Sequence, residues 1–401
     1  MVRRMTKPHI LIAGAGIGGL TAALALLRRG FDVDVYEQAS ELKEVGAGVQ
    51  ISANGTRALF TLGLGEELQR LAVEAEGKEI RLWSTGQTWK LFDLGAESIK
   101  RYGFPYLTVY RPDLHGALVT AVRRAKPEAI HLGAKVVGVD QDGKAASLRL
   151  ADGPAVHGDA LIGADGVHSA IRQALFGADR PHFTGVIAWR GVAPLDRLPA
   201  HLRRKVGTNW VGPGGHVVHY PLRAGTLMNF VGIIERDDWR VESWNVRGTK
   251  DECANDFRGW NPDIHAMIEA IDAPYKWALL SREPMPRWTV GRTTLLGDAC
   301  HAMLPLLAQG AVMAIEDGFI LARCFEKYGE VEPALQHYEQ ARRERANRCV
   351  LGSAAQAKRF HNPTLADRAG AEAYIDREWN EQRVKERYEW LFTYDVTTTA
   401  I

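Results

Sequence analysis

The segment His9–Gln38, HILIAGAGIGGLTAALALLRRGFDVDVYEQ, constrains the fold more than any other stretch of the chain. HILIAG (9–14) is an apolar run of strand length that ends in glycine. LTAALALLRRG (20–30) has the composition of a helix that stops at Gly30. FDVDVYEQ (31–38) alternates apolar and polar residues, as a half-buried strand does. Strand, helix and strand in this order form a right-handed crossover, so the two strands are expected to run parallel. Between the first strand and the helix, Gly14-Ala15-Gly16-Ile17-Gly18-Gly19 matches G-x-G-x-x-G in the context that gives the pattern meaning. Gly14 permits the tight turn, Gly16 lets a pyrophosphate reach the backbone, and Gly19 lets helix and strand pack closely. The helix start adds free N–H groups and a positive dipole end. Glu37 closes the second strand where an acid accepts hydrogen bonds from an unphosphorylated adenosine ribose. The pattern points to a dinucleotide, FAD or NAD, and leaves the choice between them open.

A chain of 401 residues exceeds one average domain and suggests two interlocked ones. Residues 106–125 read as a strand turning into a helix through RPDLHGALVTAV, and 131–162 hold several short strand-like runs. The middle, about 181–280, carries alternating patterns such as HVVHYPL and TLMNFVGII, which suit an antiparallel sheet. Residues 312–350 follow a helical period, and 364–401 are charged, helical and rich in aromatics. The expected division is a discontinuous nucleotide-binding domain at 1–180 and 281–360, a substrate domain at 181–280 and a C-terminal helical segment at 361–401. The fold class is α/β: a Rossmann-like domain interlocked with an antiparallel-sheet domain. The net charge of +2 gives no reason to expect nucleic acid or an anionic membrane as partner. Four cysteines without a C-x-x-C pair fit a reduced, cytoplasmic protein. Residues 9–27 are nearly uncharged and follow a basic MVRR, yet their phosphate-loop glycines argue against a membrane span or signal peptide.

Two later segments bear on the dinucleotide. In LIGADGVHSAIR (161–172), Asp165-Gly166 follows a short apolar strand. In LLGDACHAMLPLLAQGAVMAIEDG (295–318), Asp298 ends a hydrophobic run and an uncharged helix is expected to open near Gly310. Both acids fall where the C-terminal ends of sheet strands meet ligands. A ribityl chain, with its row of hydroxyls, suits Asp298. The N–H groups of Gly310 and Ala311 suit the N1–C2=O edge of a flavin, where reduction places negative charge.

With these three motifs in this order, the sequence resembles the single-component FAD-dependent aromatic hydroxylases, the para-hydroxybenzoate hydroxylase-like group, from residue 8 to about 350. The resemblance implies FAD as cofactor, with Asp165 serving both FAD and NAD(P)H and Asp298 on the ribityl chain. It also implies that Arg111 contacts FAD and that Val49 and Gln50 lie along the flavin. NADH, or NADPH, would reduce the flavin, and O2 would form a C4a-hydroperoxide that passes an oxygen atom to an aromatic acid. The nearest branches are salicylate 1-hydroxylase, the first choice here, with 3-hydroxybenzoate 6-hydroxylase and 6-hydroxynicotinate 3-monooxygenase as alternatives. His216 and Tyr220 match a His-x-x-x-Tyr pair that faces the substrate. Strand alternation puts both on one face with Val218 and turns His219 to the other. His216 is the first candidate for the base that ionises the phenol, and His301 is the second. MLPLL (303–307) is expected to wall the pocket. A monomer or a homodimer is expected. The competing readings are an NAD-dependent dehydrogenase, a flavin-binding protein without turnover, and an oxidase or reductase of related fold.

Overall fold

The computed structural model describes residues 7–42, 46–179, 181–236, 238 and 246–401. Its organising element is a six-stranded sheet in which His9–Ala13 lies between Asp32–Tyr36 and Ala160–Gly163, both parallel to it. Thr293–Leu295 extends the sheet parallel to Ala160–Gly163. This brings the ends of the three motif-bearing strands, at Gly14, Ala164 and Leu296, to one sheet edge. The first helix, Ile17–Leu27, begins directly after Gly16 rather than at Leu20. Its first turn, with the unsatisfied N–H groups every helix start carries, therefore lies within the glycine loop.

The glycines act through space as well as through φ. A Cβ on Gly14 (φ +101°) would sit 2.4 Å from the Ala164 carbonyl oxygen, and one on Gly19 would sit 2.1 Å from the Gly14 carbonyl oxygen. A Cβ on Gly16 would meet nothing within 4 Å, which is the open approach a pyrophosphate needs. Against the same helix packs Gly310–Tyr328, at a distance only Gly318 allows, since a Cβ there would reach 2.6 Å from the Ala22 nitrogen.

The second sheet has seven strands, with Tyr275–Ser281, His182–Pro194, Leu227–Glu235, Gly215–Leu222 and Val206–Gly212 in antiparallel order. The expected 181–280 domain omits part of it. Gly77–Leu82 adds parallel to Val206–Gly212, and Thr88–Asp93 pairs beyond it. One face of this sheet is covered by Lys250–Asp256 and Pro262–Ala270, whose Phe257 and Ile264 join Trp189, Trp210 and Phe230 in a separate core. The other face turns toward the nucleotide-binding domain.

The helical stretch over 312–350 forms two helices, Gly310–Tyr328 and Val331–Phe360, broken at Gly329 (φ +71°). The C-terminal helices Arg368–Glu378 and Glu381–Phe392 fold back onto the body of the chain. Leu391, Phe392 and Val396 enter the main core, and Phe92 and Tyr106 pack their rings against Phe392. Among the described residues, no helix is long and apolar enough to cross a membrane.

Candidate active site

Glu37 is positioned by the second strand to clasp the glycine loop. Its Oε2 accepts from the Ala15 N–H at 2.9 Å and its Oε1 from the Ala39 N–H at 2.8 Å. Each carboxylate oxygen can accept a further bond, so a ribose can share this acid with the loop. Asp298 is exposed at the first position of the short helix Asp298–His301, after Gly297 (φ +65°). An exposed acid needs no partner in the free chain. The acid stands in solvent at the sheet edge, where a polyol can reach it.

Asp165 is placed differently from expectation. Ser169 Oγ donates to its Oδ1 at 2.5 Å and the Ile171 N–H to its Oδ2 at 3.2 Å. Burial pushes its carboxyl up, against these bonds. Both oxygens thus help fold the turn into helix Ala170–Phe176, and each can still accept a further bond, as in Glu37.

Gly310 and Ala311 open the long helix, are half-buried, and lie in a first turn with neither an acid nor a side-chain cap. The helix start therefore presents N–H groups and its dipole to whatever fills the space beside them. Gln309, just before it, is held by Ser52 Oγ and Asn54 Nδ2. Val49 and Gln50 lie on the strand Gly48–Ile51, which pairs with Leu107–Tyr110 just before Arg111. The Arg111 N–H donates to the Ala47 carbonyl at 2.8 Å, so this arginine sits beside that strand, half-buried. Gly14, Gly16, Gly19, Glu37 and Asp298 thus lie at the C-terminal ends of the sheet strands, and Gly310, Ala311, Val49 and Arg111 lie on elements packed beside them.

His301 does not join them. Its side chain is fully buried and its Nε2 lies 2.6 Å from Asp317 Oδ2. Asp317 also accepts from Arg342 Nε at 2.8 Å and from the Gly297 N–H at 3.2 Å. Arg342 reaches Glu316 at 2.7 Å, and Glu316 is further held by Arg345 and Asn54. Burial pushes the Asp317 carboxyl up, but His301 and Arg342 outweigh it and hold it below its ordinary value. This network pins the Gly297–Asp298 turn from beneath. His301 braces that turn through Nε2, while its Nδ1 is buried without a hydrogen-bond partner among the described residues. The loop after it is corrected likewise: Leu304, Leu306 and Leu307 pack into the core, leaving Met303 half-buried and Pro305 exposed.

Gln50 turns toward the second sheet. Its Oε1 accepts from Tyr106 OH at 2.9 Å and from Lys78 Nζ at 3.4 Å, with Tyr220 beside it. The Gly48 N–H donates to Asn229 Oδ1 at 2.7 Å, and a Cβ on Gly48 would strike Tyr220 and Asn229 at under 3 Å. Glycine is required there because two sheets meet at that point. Lys78 was not visible in the sequence as a site residue. It is buried, and among the described residues no carboxylate pairs with it; burial pushes its ammonium down to about 8.

Along Gly215–Leu222 every residue is buried except Val218, and its cross-strand partner Val231 is likewise half-buried. This pair marks a gap in the cover of an otherwise sealed face. Tyr220 and its partner Asn229 lie on one side of the gap, His216 and Ile233 on the other. Arg190, the next residue across from Val231, lies with its guanidinium 4.8 Å from the Trp277 ring centre. His216 Nε2 and Asn229 Nδ2 are buried with no hydrogen-bond partner among the described residues. Burial, then the neighbouring His361, holds the His216 imidazolium well below its ordinary range. His216 Nδ1 lies 2.7 Å from His361 Nε2, and His361 Nδ1 lies 2.9 Å from Glu235 Oε1. His361 was missed because it falls just after the long helix, far from any motif. His219, on the opposite face, is buried between the Arg81 and Arg204 charges, with burial first among the causes that push it down to about 3.

Comparison with known proteins bears on the family, the fold and the cofactor. The family profile described as FAD binding domain matches residues 7–353. The 3-amino-4-hydroxybenzoate 2-monooxygenase PtnB3 of Streptomyces platensis is 36% identical over 391 residues, covering 97% of this chain and 96% of that protein. The 3-hydroxybenzoate 6-hydroxylase of Polaromonas naphthalenivorans is 35% identical, covering 96% of each. Among solved structures, Klebsiella pneumoniae HpxO complexed with FAD and uric acid superposes with a TM-score of 0.83 at 27% identity, covering 97% of this chain and 96% of that one.

Proposed function

The chain belongs to the FAD-binding-domain family, as an FAD-dependent aromatic monooxygenase of the hydroxybenzoate and hydroxynicotinate type, and from that premise we propose that it hydroxylates a ring bearing both a phenolic hydroxyl and a carboxylate. One observation carries the proposal. The gap at Val218 and Val231 has an unpartnered imidazole nitrogen on one side and, beyond Tyr220, an ammonium without an acid on the other.

Residues 216 and 220 are four apart on one strand, roughly 13 Å along it. They therefore cannot contact one substrate atom together, but a single ring over Val218 spans them. In this pose His216 Nε2 takes the phenol proton, which raises electron density on the ring carbon to be attacked. Lys78 receives the carboxylate, helped by Tyr220, Asn229 and Gln50 as neutral donors. Such a pairing returns to Lys78 the counter-charge that burial denies it.

FAD, reduced by NAD(P)H, supplies the activated oxygen. Gly14, Gly16, Gly19 and Glu37 would hold its ADP half, Asp298 the ribityl chain, and the Gly310 and Ala311 N–H groups the flavin edge. Val49 and Arg111 would border it. The buried sheet face around the substrate excludes water from the oxygen transfer.

The test is a panel of hydroxylated benzoates and pyridinecarboxylates scored for stimulated NADH oxidation and for product. Salicylate is one arm, since catechol and CO2 from it would single out a salicylate 1-hydroxylase. His216→Gln should lower hydroxylation by about 10²–10⁴-fold. It should keep anaerobic flavin reduction and divert NADH into hydrogen peroxide. Stimulation by phenols lacking a carboxylate, but by none of the acids, would refute the substrate class.

A further inference from the structure

We infer that His216, His361 and Glu235 form a proton relay that carries the phenol proton from the buried ring to the surface and returns it after oxygen transfer. The inference rests on the reading of His216 as the base. Its geometric basis is a continuous line of two short contacts, His216 Nδ1 to His361 Nε2 at 2.7 Å and His361 Nδ1 to Glu235 Oε1 at 2.9 Å. The line begins at a nitrogen that is sealed and unpartnered and ends at a carboxylate whose side chain is 55% exposed.

Charge fixes the direction of every proton in the line. An ionised Glu235 only accepts, so His361 must donate from Nδ1. A neutral His361 then has its lone pair at Nε2, so His216 must donate from Nδ1. The remaining lone pair is therefore at His216 Nε2, the form in which that nitrogen takes a proton. One surface carboxylate thereby sets the tautomer of a histidine two residues deeper in the structure.

The relay answers an energetic difficulty. A lone buried His216 that took the phenol proton would become an imidazolium inside a sealed sheet face, a costly charge. In the relay, the phenol O–H breaks and the Nε2–H bond forms at His216. The Nδ1 proton of His216 passes to His361 Nε2, and the Nδ1 proton of His361 passes to Glu235, which releases it to water. Each ring ends neutral and the positive charge never rests in the interior. After oxygen transfer the carbon that received oxygen loses its proton to water, or its carboxylate as CO2, which restores the aromatic ring as a phenolate; the same hops in reverse then protonate that phenolate oxygen and reset both tautomers. The surroundings leave the line undisturbed. Phe360 packs on the His216 ring at 4.9 Å. The nearby charges are turned elsewhere, Arg359 to Glu378 and Gln356, and Arg236 to Asp238 and Asp256.

The test uses FAD-loaded His361→Gln and Glu235→Gln with the aromatic acid that the panel identifies. His361→Gln can keep hydrogen bonds but cannot pass a proton. We expect hydroxylation to fall about 10–100-fold, below the general-base range because His216 remains. Anaerobic flavin reduction should stay within about twofold of wild type, as hydride transfer makes no use of the relay. Glu235→Gln should move the pH profile of coupled turnover to higher pH. A ring-fluorinated analogue of the same acid, whose phenol is already ionised at neutral pH, should restore coupling in His361→Gln, which it would not do for a packing defect. In the resting protein, the downfield imidazole N–H resonances of wild type should be altered by Glu235→Gln. Wild-type coupling and pH profile in His361→Gln would overturn the relay while leaving His216 as base. Wild-type coupling in His216→Gln would overturn the base assignment itself.

Discussion

Lys78 is a lysine that costs the free protein stability, and the cost can be measured. Its ammonium is buried, is held by a 3.4 Å contact to Gln50, and is pushed by burial from 10.5 down to about 8. At neutral pH the charge is present in both folded and unfolded chains, but the fold disfavours it by roughly 3 kcal/mol, the free energy that corresponds to this gap. Methionine has similar reach, fills irregular space and carries no charge. Lys78→Met should therefore stabilise the substrate-free enzyme by up to about 3 kcal/mol at pH 7, less whatever repacking costs.

The sign of the pH dependence follows. Between about 8 and 10.5 the unfolded chain holds the lysine proton and the folded chain has released it. Wild-type stability therefore rises with pH across this window relative to Lys78→Met, and the two converge near its upper end. Denaturant unfolding of both proteins at a series of pH values, with the same FAD occupancy, gives the difference directly. The function should move the opposite way. A hydrogen bond to a charged group contributes about 1.5–3 kcal/mol, so KM for the aromatic acid should rise by roughly 10- to 150-fold, while a carboxamide analogue should be little affected. Binding of the acid to wild type should also weaken above pH 8, as the cation is lost. A variant less stable than wild type at pH 7 would refute the strain argument, and an unchanged KM would refute the assignment of Lys78 as the carboxylate anchor.

Asp298→Ala should weaken FAD binding by about 1–3 kcal/mol through loss of an acceptor for ribityl hydroxyls, read by flavin fluorescence titration of the apoprotein. Apoprotein stability should change by less than about 0.5 kcal/mol because the side chain is exposed, and wild-type FAD affinity would remove Asp298 from the site. Asp317→Asn should cost about 3–5 kcal/mol by leaving Arg342 and His301 without their shared carboxylate. A variant that keeps wild-type stability, checked by urea unfolding, would show that the network beneath Gly297–Asp298 is dispensable.

What was legible in the sequence divides along physical lines. The glycine loop was readable because close backbone approach admits only glycine, and the 2.1 Å and 2.4 Å distances at Gly19 and Gly14 are the contacts the pattern encodes. The open helix start at Gly310 was readable because missing charge in a first turn is a one-dimensional signal. Asp165 and His301 were readable as special but not as to role. A motif shows that a residue type is needed and not which side of it the chain occupies, and both turned inward to brace the turns whose neighbours face the cleft. Asp317 and Glu316 carried a sequence signal that could have exposed this: two adjacent acids inside an otherwise apolar helix must meet cations, here Arg342 and Arg345. Lys78, His361 and Glu235 were illegible for a different reason. They come from a strand outside the expected substrate domain, from the end of a long helix, and from a strand edge, and only the tertiary fold puts them around one face.

The distribution of these residues bears on how the two sheets work together. Several contacts between the two sheets come from the strand Gly48–Ile51: Gly48 to Asn229 and Tyr220, and Gln50 to Lys78 and Tyr106. The same strand pairs with the one that leads into Arg111. A ligand that pulls on Lys78 or Tyr220 therefore acts on the strand proposed to border the flavin. The sealed face holding His216 is tied separately, through His361, to the end of the helix Val331–Phe360, whose Arg342 and Arg345 hold the network under Asp298. The substrate face is thus anchored twice to the cofactor cleft, once by a strand beside it and once by a helix beneath it. This rigid double attachment fits a reaction in which an oxygen atom must be delivered to one ring carbon, because positional error of the order of 1 Å costs about 10²-fold in rate.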